Sequence, residues 1–292
     1  LMESMQSKAI KTLAKIFKIN NIWLKQGQEL KTLLQKKQED IGFPTKKMFK
    51  NYDIQINVQY KNPIYLLRSE LNPAKKTVLY LPGGGFVLPI SPLHWSFIDT
   101  MIKEANVDVI VPLYPLAPKH TMDDIMRYLL NIYENIVNNQ EKLIIMGDSA
   151  GGTIALSFIQ LLKKQQAVFP KKVIAISPLV DFELKNPEIL TVQKLDPISA
   201  TPALKDIGKW MAGNHSLSDA LLSPINGDFA QTTNITIFSG TADITNPDTR
   251  KMIQHAPENF NYHEYPDMMH IFPLFPLPEA KKAKKQIIAL LK

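Results

Sequence analysis

The stretch that most constrains this chain is Leu143-Ile144-Ile145-Met146 followed at once by Gly147-Asp148-Ser149-Ala150-Gly151-Gly152. An apolar run of strand type stops at a glycine, and Ala155, Leu156, Phe158, Ile159 and Leu162 then recur at helical spacing. Strand, sharp turn and helix is the setting in which Gly-x-Ser-x-Gly holds a serine on a strained corner with its hydroxyl in the open. Such a corner brings backbone against backbone, and Gly147 and Gly151 leave the room. The following helix turns its first N–H groups toward any anion forming beside Ser149. The plainer alternative is an ordinary strand–helix connection, so the partners of a working serine have to be sought elsewhere.

Around this corner the chain alternates. Buried-strand runs at 77–81, 107–113, 143–146, 173–176 and 235–238 are separated by amphipathic segments at 92–105, 122–138, 150–166, 202–212 and 248–256. That order predicts an α/β fold with a mostly parallel, doubly wound sheet flanked by helices. Residues 261–265 add a strand and 278–291 a closing helix. Ile54, Ile56, Val58 and Tyr60 alternate with polar residues as a half-buried strand, with 64–68 as its antiparallel partner after Asn62-Pro63. The stretch 183–214 is too long for a simple connection and reads as an insertion beside the sheet.

Residues 1–50 carry eleven lysines against four acidic residues, which accounts for the whole net charge of +7. A basic arm points to nucleic acid or anionic lipid. Yet Met5, Ile10, Leu13 and Phe17 recur at helical spacing in 4–18, and 21–37 is a second amphipathic segment carrying Trp23, Leu30, Leu33 and Leu34. The expectation is two packed helices with their apolar stripe inward and their lysines in solvent. No run reaches the ~18 apolar residues of a membrane span, and no secretory signal pattern opens the chain. Zero cysteines exclude disulfides and thiolate metal ligands. A cytoplasmic protein without metal, without a nucleic-acid partner and without stable membrane insertion is expected; homo-oligomerisation stays open.

A serine hydroxyl needs a base and an oxyanion trap. Leu81-Pro82-Gly83-Gly84-Gly85-Phe86 follows directly on a strand, and its glycines let backbone N–H groups converge on one point. With Gly147 to Gly152, and with Tyr114-Pro115-Leu116-Ala117-Pro118-Lys119-His120, this set resembles the hormone-sensitive-lipase-like branch of the α/β-hydrolase fold. The resemblance runs from about residue 55 onward. It implies a cofactor-free carboxylesterase acting on short- to medium-chain acyl esters, with residues 1–50 and the insertion at 183–214 forming a helical cap over a catalytic domain at 51–292. Oxyanion donors would be the N–H groups of Gly84, Gly85 and Ala150. The branch usually has His where Pro82 stands, and Arg and Glu where Pro115 and Lys119 stand.

The partners follow in the order serine, acid, histidine. Ser239-Gly240-Thr241-Ala242-Asp243 resembles the branch's Gly-x-x-Asp, with Asp248 as rival acid, and His270 in His270-Ile271-Phe272 matches its His-x-Phe. An unperturbed histidine base would titrate near ~6.5. Phe86, Trp95, Phe272 and Phe275 are candidates for the substrate pocket or, equally, for the core. Amide or peptide hydrolysis by the same triad, a non-catalytic binding protein of the same fold, and an anionic-membrane module on the lysine-rich arm are the rival readings.

Overall fold

The computed structural model describes residues 3–59, 62–68, 76–136 and 142–292. Tyr60 and the end of the expected 122–138 helix lie outside them. Among the described residues, eight strands form one sheet in the order β1-β2-β4-β3-β5-β6-β7-β8. These are β1 (Asp53–Gln59), β2 (Asn62–Arg68), β3 (Lys76–Leu81), β4 (Val107–Pro112), β5 (Leu143–Asp148), β6 (Lys172–Ile176), β7 (Asn234–Ala242) and β8 (Phe260–Met269). The pairs β1–β2 and β2–β4 are antiparallel and all the others parallel. Consecutive side chains of the central strands enter opposite layers. Leu79, Ile145, Val173 and Ile237 pack on one face, Val78, Ile144, Ile174 and Phe238 on the other. Both faces are covered by helices, which is why these strands read as unbroken apolar runs.

The covering helices are α4 (Pro92–Ala105), α5 (Met122–Ile136), α6 (Ala150–Lys164), α8 (Thr201–Ala212), α9 (Asn246–His255) and α10 (Pro278–Leu291), with the five-residue α7 (Glu188–Val192) in the long insertion. Register decides where the chemistry can sit. Leu81 lies beside Gly147, Asp148 beside Ile176, and Ala242 beside Met269. The residues just past these pairs therefore emerge together at the carboxyl edge of the sheet, where open α/β sheets bind ligands.

The N-terminal region departs from expectation. It forms α1 (Met5–Ile16), a 3-10 segment Ile19–Leu24, α2 (Gly27–Lys37) and the short α3 (Lys46–Asn51). Positive φ at Lys18 (49°) turns the chain between α1 and the 3-10 segment, and positive φ at Gly27 (57°) splits the expected 21–37 helix. Of the expected apolar stripe only Ile10 turns inward, half-buried against the core; Ser7 and Ala14 are buried beside it, while Met5, Leu13 and Phe17 are exposed. Small residues face the body because α1 lies close to α10, held by Ser4 N–H donating to Glu279 (2.7 Å) and Lys11 to the Asp267 carbonyl (2.9 Å). The inward apolar anchors are instead Leu30 and Leu34 of α2, both fully buried. Strand β1 is also more open than predicted, since Ile56 and Val58 stay exposed at the sheet edge.

Candidate active site

Ser149 sits between β5 and α6 with φ 50° and ψ −122°, a conformation that costs a non-glycine residue roughly 1–3 kcal/mol and persists only where its surroundings impose it. Its N–H donates to the Ile176 carbonyl (2.8 Å). A Cβ on Gly151 would stand 1.8 Å from the Leu81 carbonyl oxygen, and one on Gly147 would stand 2.4 Å from the Gly151 backbone. The two glycines of the motif are thus sterically required at the corner.

A continuous relay leads away from the hydroxyl. Ser149 Oγ is 2.8 Å from His270 Nε2, and His270 Nδ1 is 2.8 Å from Asp243 Oδ1. With Nδ1–H donating to the carboxylate, Nε2 is left to accept the serine proton. Asp243 Oδ1 also accepts from the Thr245 N–H and hydroxyl, both at 2.9 Å. The backbone just after His270 is held by the Ile271 N–H, which donates to Ser177 Oγ (3.0 Å). Asp248 is elsewhere: it lies in the first turn of α9 and accepts from Asn186 (3.0 Å). Burial opposes charge on His270, but Asp243, with help from Asp196 and Asp148, outweighs it and pushes the imidazole up to about 9. That lies above the ~6.5 at which an unperturbed ring titrates.

Asp196, unremarked in the sequence, joins this group from the 183–214 insertion. Its oxygens accept from the N–H groups of Ile198 (2.9 Å), Ser199 (3.3 Å) and Ile244 (3.1 Å), so the insertion grips the backbone next to Asp243. Burial, then the Asp243 charge, pushes its carboxyl up to about 7. Polar atoms of Asp196, Asp243 and His270 lie within 4.8 Å of one another. Most are already committed to hydrogen bonds with each other or with backbone, which fits a relay better than a cation site.

The glycine loop after β3 borders the same space. Gly84, Gly85, Ser149, Ala150 and His270 line one cavity of about 270 Å³. The loop's own hydrogen bonds run from Val87 and Leu88 to Gly84 O and leave the Gly84 and Gly85 N–H groups out. Ala150 is the first residue of α6, where N–H groups lack helical partners. Pro82 is braced without an imidazole of its own: Tyr114 OH donates to its carbonyl (2.6 Å), and Gly83 N–H donates to Asp148 (3.2 Å). Behind them, Ser91 N–H donates to His94 Nδ1 (3.1 Å), which leaves Nε2–H for Asp148 Oδ2 (3.1 Å). Burial disfavours charge on Asp148, but His94, Tyr80 and Gly83 together hold its carboxyl below the usual range.

Of the four aromatic candidates, Phe86 and Phe275 line the cavity. Trp95 and Phe272 do not. Trp95 is 1% exposed, edge-on to Tyr65 and donating to the Gly42 carbonyl, while Phe272 is fully buried against Tyr265. Both are core residues, drawn in because α4 and the segment after His270 pack against the sheet. The remaining wall includes Ile19, Ile22 and Trp23 from the N-terminal segment and Ile198, Ser199 and Leu204 from the insertion and α8. The Trp23 ring lies so close over Gly85 that a Cβ there would stand 2.4 Å from it.

The alpha/beta hydrolase fold family matches this sequence over residues 78–274, about two thirds of the chain. The chain belongs to the α/β-hydrolase fold family. Its glycine-loop, elbow and Tyr114 motifs are those in which it resembles the hormone-sensitive-lipase-like branch. An esterase of Acinetobacter venetianus is 26% identical over 223 residues, 73% of this chain and 74% of that protein. In other relatives the matched segment spans only 36% and 39% of the protein. A solved Staphylococcus aureus structure superposes with TM-score 0.85 at 26% identity, covering 93% of this chain and 95% of that one. An esterase structure from the bacterial hormone-sensitive lipase family gives 0.80 at 19% identity, over 100% and 98% of the two chains, and so shares the fold. None of the described helices is long and apolar enough to cross a membrane.

Proposed function

We propose that the protein is a serine carboxylesterase that hydrolyses short- to medium-chain acyl esters through an acyl-enzyme on Ser149. The observation that carries this reading is the unbroken relay from Ser149 Oγ through His270 to Asp243, opening into a cavity lined by Gly84, Gly85 and Ala150. His270 Nε2 takes the hydroxyl proton as Oγ attacks the ester carbonyl. The developing oxyanion accepts from the N–H groups of Gly84, Gly85 and Ala150. The imidazolium, stabilised by buried Asp243, then gives its proton to the departing alkoxide, and a bond from Oγ to the acyl carbon remains. Water repeats the sequence, with His270 first base and then acid, and the free carboxylic acid leaves.

Size and lining support the substrate class. A largely apolar space of about 270 Å³ lies just under the ~300 Å³ at which pockets for drug-sized ligands begin, which favours short acyl groups. The Acinetobacter relative, described as an esterase, supports the ester bond as target. We read residues 1–50 and 183–214 as a cap, since Ile19, Ile22 and Trp23 from one and Ile198 and Ser199 from the other wall the cavity.

The test is turnover of p-nitrophenyl esters of graded chain length by wild type and Ser149→Ala. Wild type should favour short to medium chains, and the alanine variant should lose on the order of 10⁶ in kcat while keeping its fold. Hydrolysis by Ser149→Ala near the wild-type rate would remove the nucleophile assignment.

A further inference from the structure

The outward face of the N-terminal segment is built unlike an ordinary solvated surface. Leu13 (50%), Ile16 (66%), Phe17 (73%) and Ile19 (52%) are exposed, and in the insertion Leu190 and Leu195 are exposed as well. The two groups adjoin: Lys15 Nζ donates to the carbonyl of Lys194, the residue before Leu195 (3.2 Å). Contiguous exposed apolar surface rimmed by polar residues marks an interaction site. Its charge indicates the partner. Residues 3–29 hold five lysines and two acidic residues, Glu3 and Glu29, which pair with Lys11 and Lys25; Lys8, Lys15, Lys18 and Lys194 are exposed around the apolar side chains. The same segment leads directly to the cavity, because Ile19 belongs to the patch and to the wall around Ser149.

We propose that this face docks the protein on an anionic lipid bilayer surface, with Leu13, Ile16 and Phe17 entering the headgroup boundary and the lysines pairing with its charge. Apolar side chains flanked by lysines on a helix lying in the interface plane are the chemistry such surfaces hold. Docking there sets the cavity entrance beside the membrane, where acyl esters partition. This goes beyond the esterase reading and does not need it.

The experiment is co-sedimentation of the full chain with phosphatidylcholine vesicles, with and without phosphatidylglycerol, at low and high salt. Wild type is expected to sediment with the anionic vesicles alone and to be released by salt. Ile16→Gln with Phe17→Gln should raise the lipid needed for half-binding by about tenfold or more. Lys8→Gln with Lys18→Gln should weaken binding roughly fivefold per lysine. Thermal melting reports the fold of each variant, so a failed esterase assay leaves this test intact. Absence of wild-type binding, or equal binding by the Ile16/Phe17 variant, would overturn the proposal. So would sedimentation velocity showing that the patch holds a second copy, dissociated by the same variant, with no vesicle binding.

Discussion

In the proposed mechanism Ser149 Oγ is only as good a nucleophile as the imidazole 2.8 Å away, and that imidazole is set by the carboxylates around it. Because His270 is pushed up to about 9, its neutral, proton-accepting form grows as pH rises through that value. Rate constants kcat/KM should therefore climb through the alkaline range; a plateau already complete near ~6.5, where an unperturbed ring titrates, would contradict this. Asp196→Asn removes one of the negative charges that favour the imidazolium, so the same profile should move to lower pH. An unmoved profile would show that Asp196 only anchors its loop. Asp243→Asn should cost roughly 10⁴ in kcat, since the amide can select the wrong tautomer of the base. Asp248→Asn, whose carboxyl meets Asn186 and not His270, should stay near wild type. Equal losses in the two variants would reopen the choice of acid.

At the scale of elements, the site is assembled by strand ends in register, and this part was legible in the sequence. Apolar runs buried on both faces mark the parallel strands, and Gly-x-Ser-x-Gly has one steric solution between a strand and a helix. The order of serine, acid and histidine then leaves few choices. What stayed hidden has a common cause: it depends on contacts between segments far apart in the chain. Asp196, in an irregular stretch, shows no local pattern, yet folding sets it behind His270. Trp95 and Phe272 carry the same aromatic signature as Phe86 and Phe275, and only packing separates core from cavity wall. The stripe of α1 misled because periodicity reports amphipathicity without saying which face meets the body. The 3-10 segment Ile19–Leu24 offers a direct test of its place over the cavity. Trp23→Ala opens space above Gly85, so relative kcat/KM should move toward longer acyl chains. An unchanged chain-length profile would remove Trp23 from the set of limiting residues.

Over the whole molecule, the N-terminal segment is tied to the insertion and to the backbone just past the glycine loop. Gly27 N–H donates to Asp206 (2.7 Å), and Gln38 donates to the carbonyls of Val87 (2.7 Å) and Ala117 (2.8 Å). Removing residues 1–45 would uncover the Leu30 and Leu34 sites, each worth about 1.5–3 kcal/mol of burial, and free the loop. Lower melting temperature together with an altered chain-length profile is expected, measured by thermal denaturation and the ester series. Unchanged melting would mean that the segment is dispensable to the fold. The central claim is that one activated serine does the chemistry, and it is tested most directly by mass spectrometry after exposure to an organophosphate that esterifies activated serines. A single adduct on the Ser149 peptide of wild type, with ester hydrolysis lost in step, and no adduct in Ser149→Ala or His270→Ala, is the predicted result. Undiminished hydrolysis by unlabelled protein, or labelling at another residue with loss of activity, would contradict it.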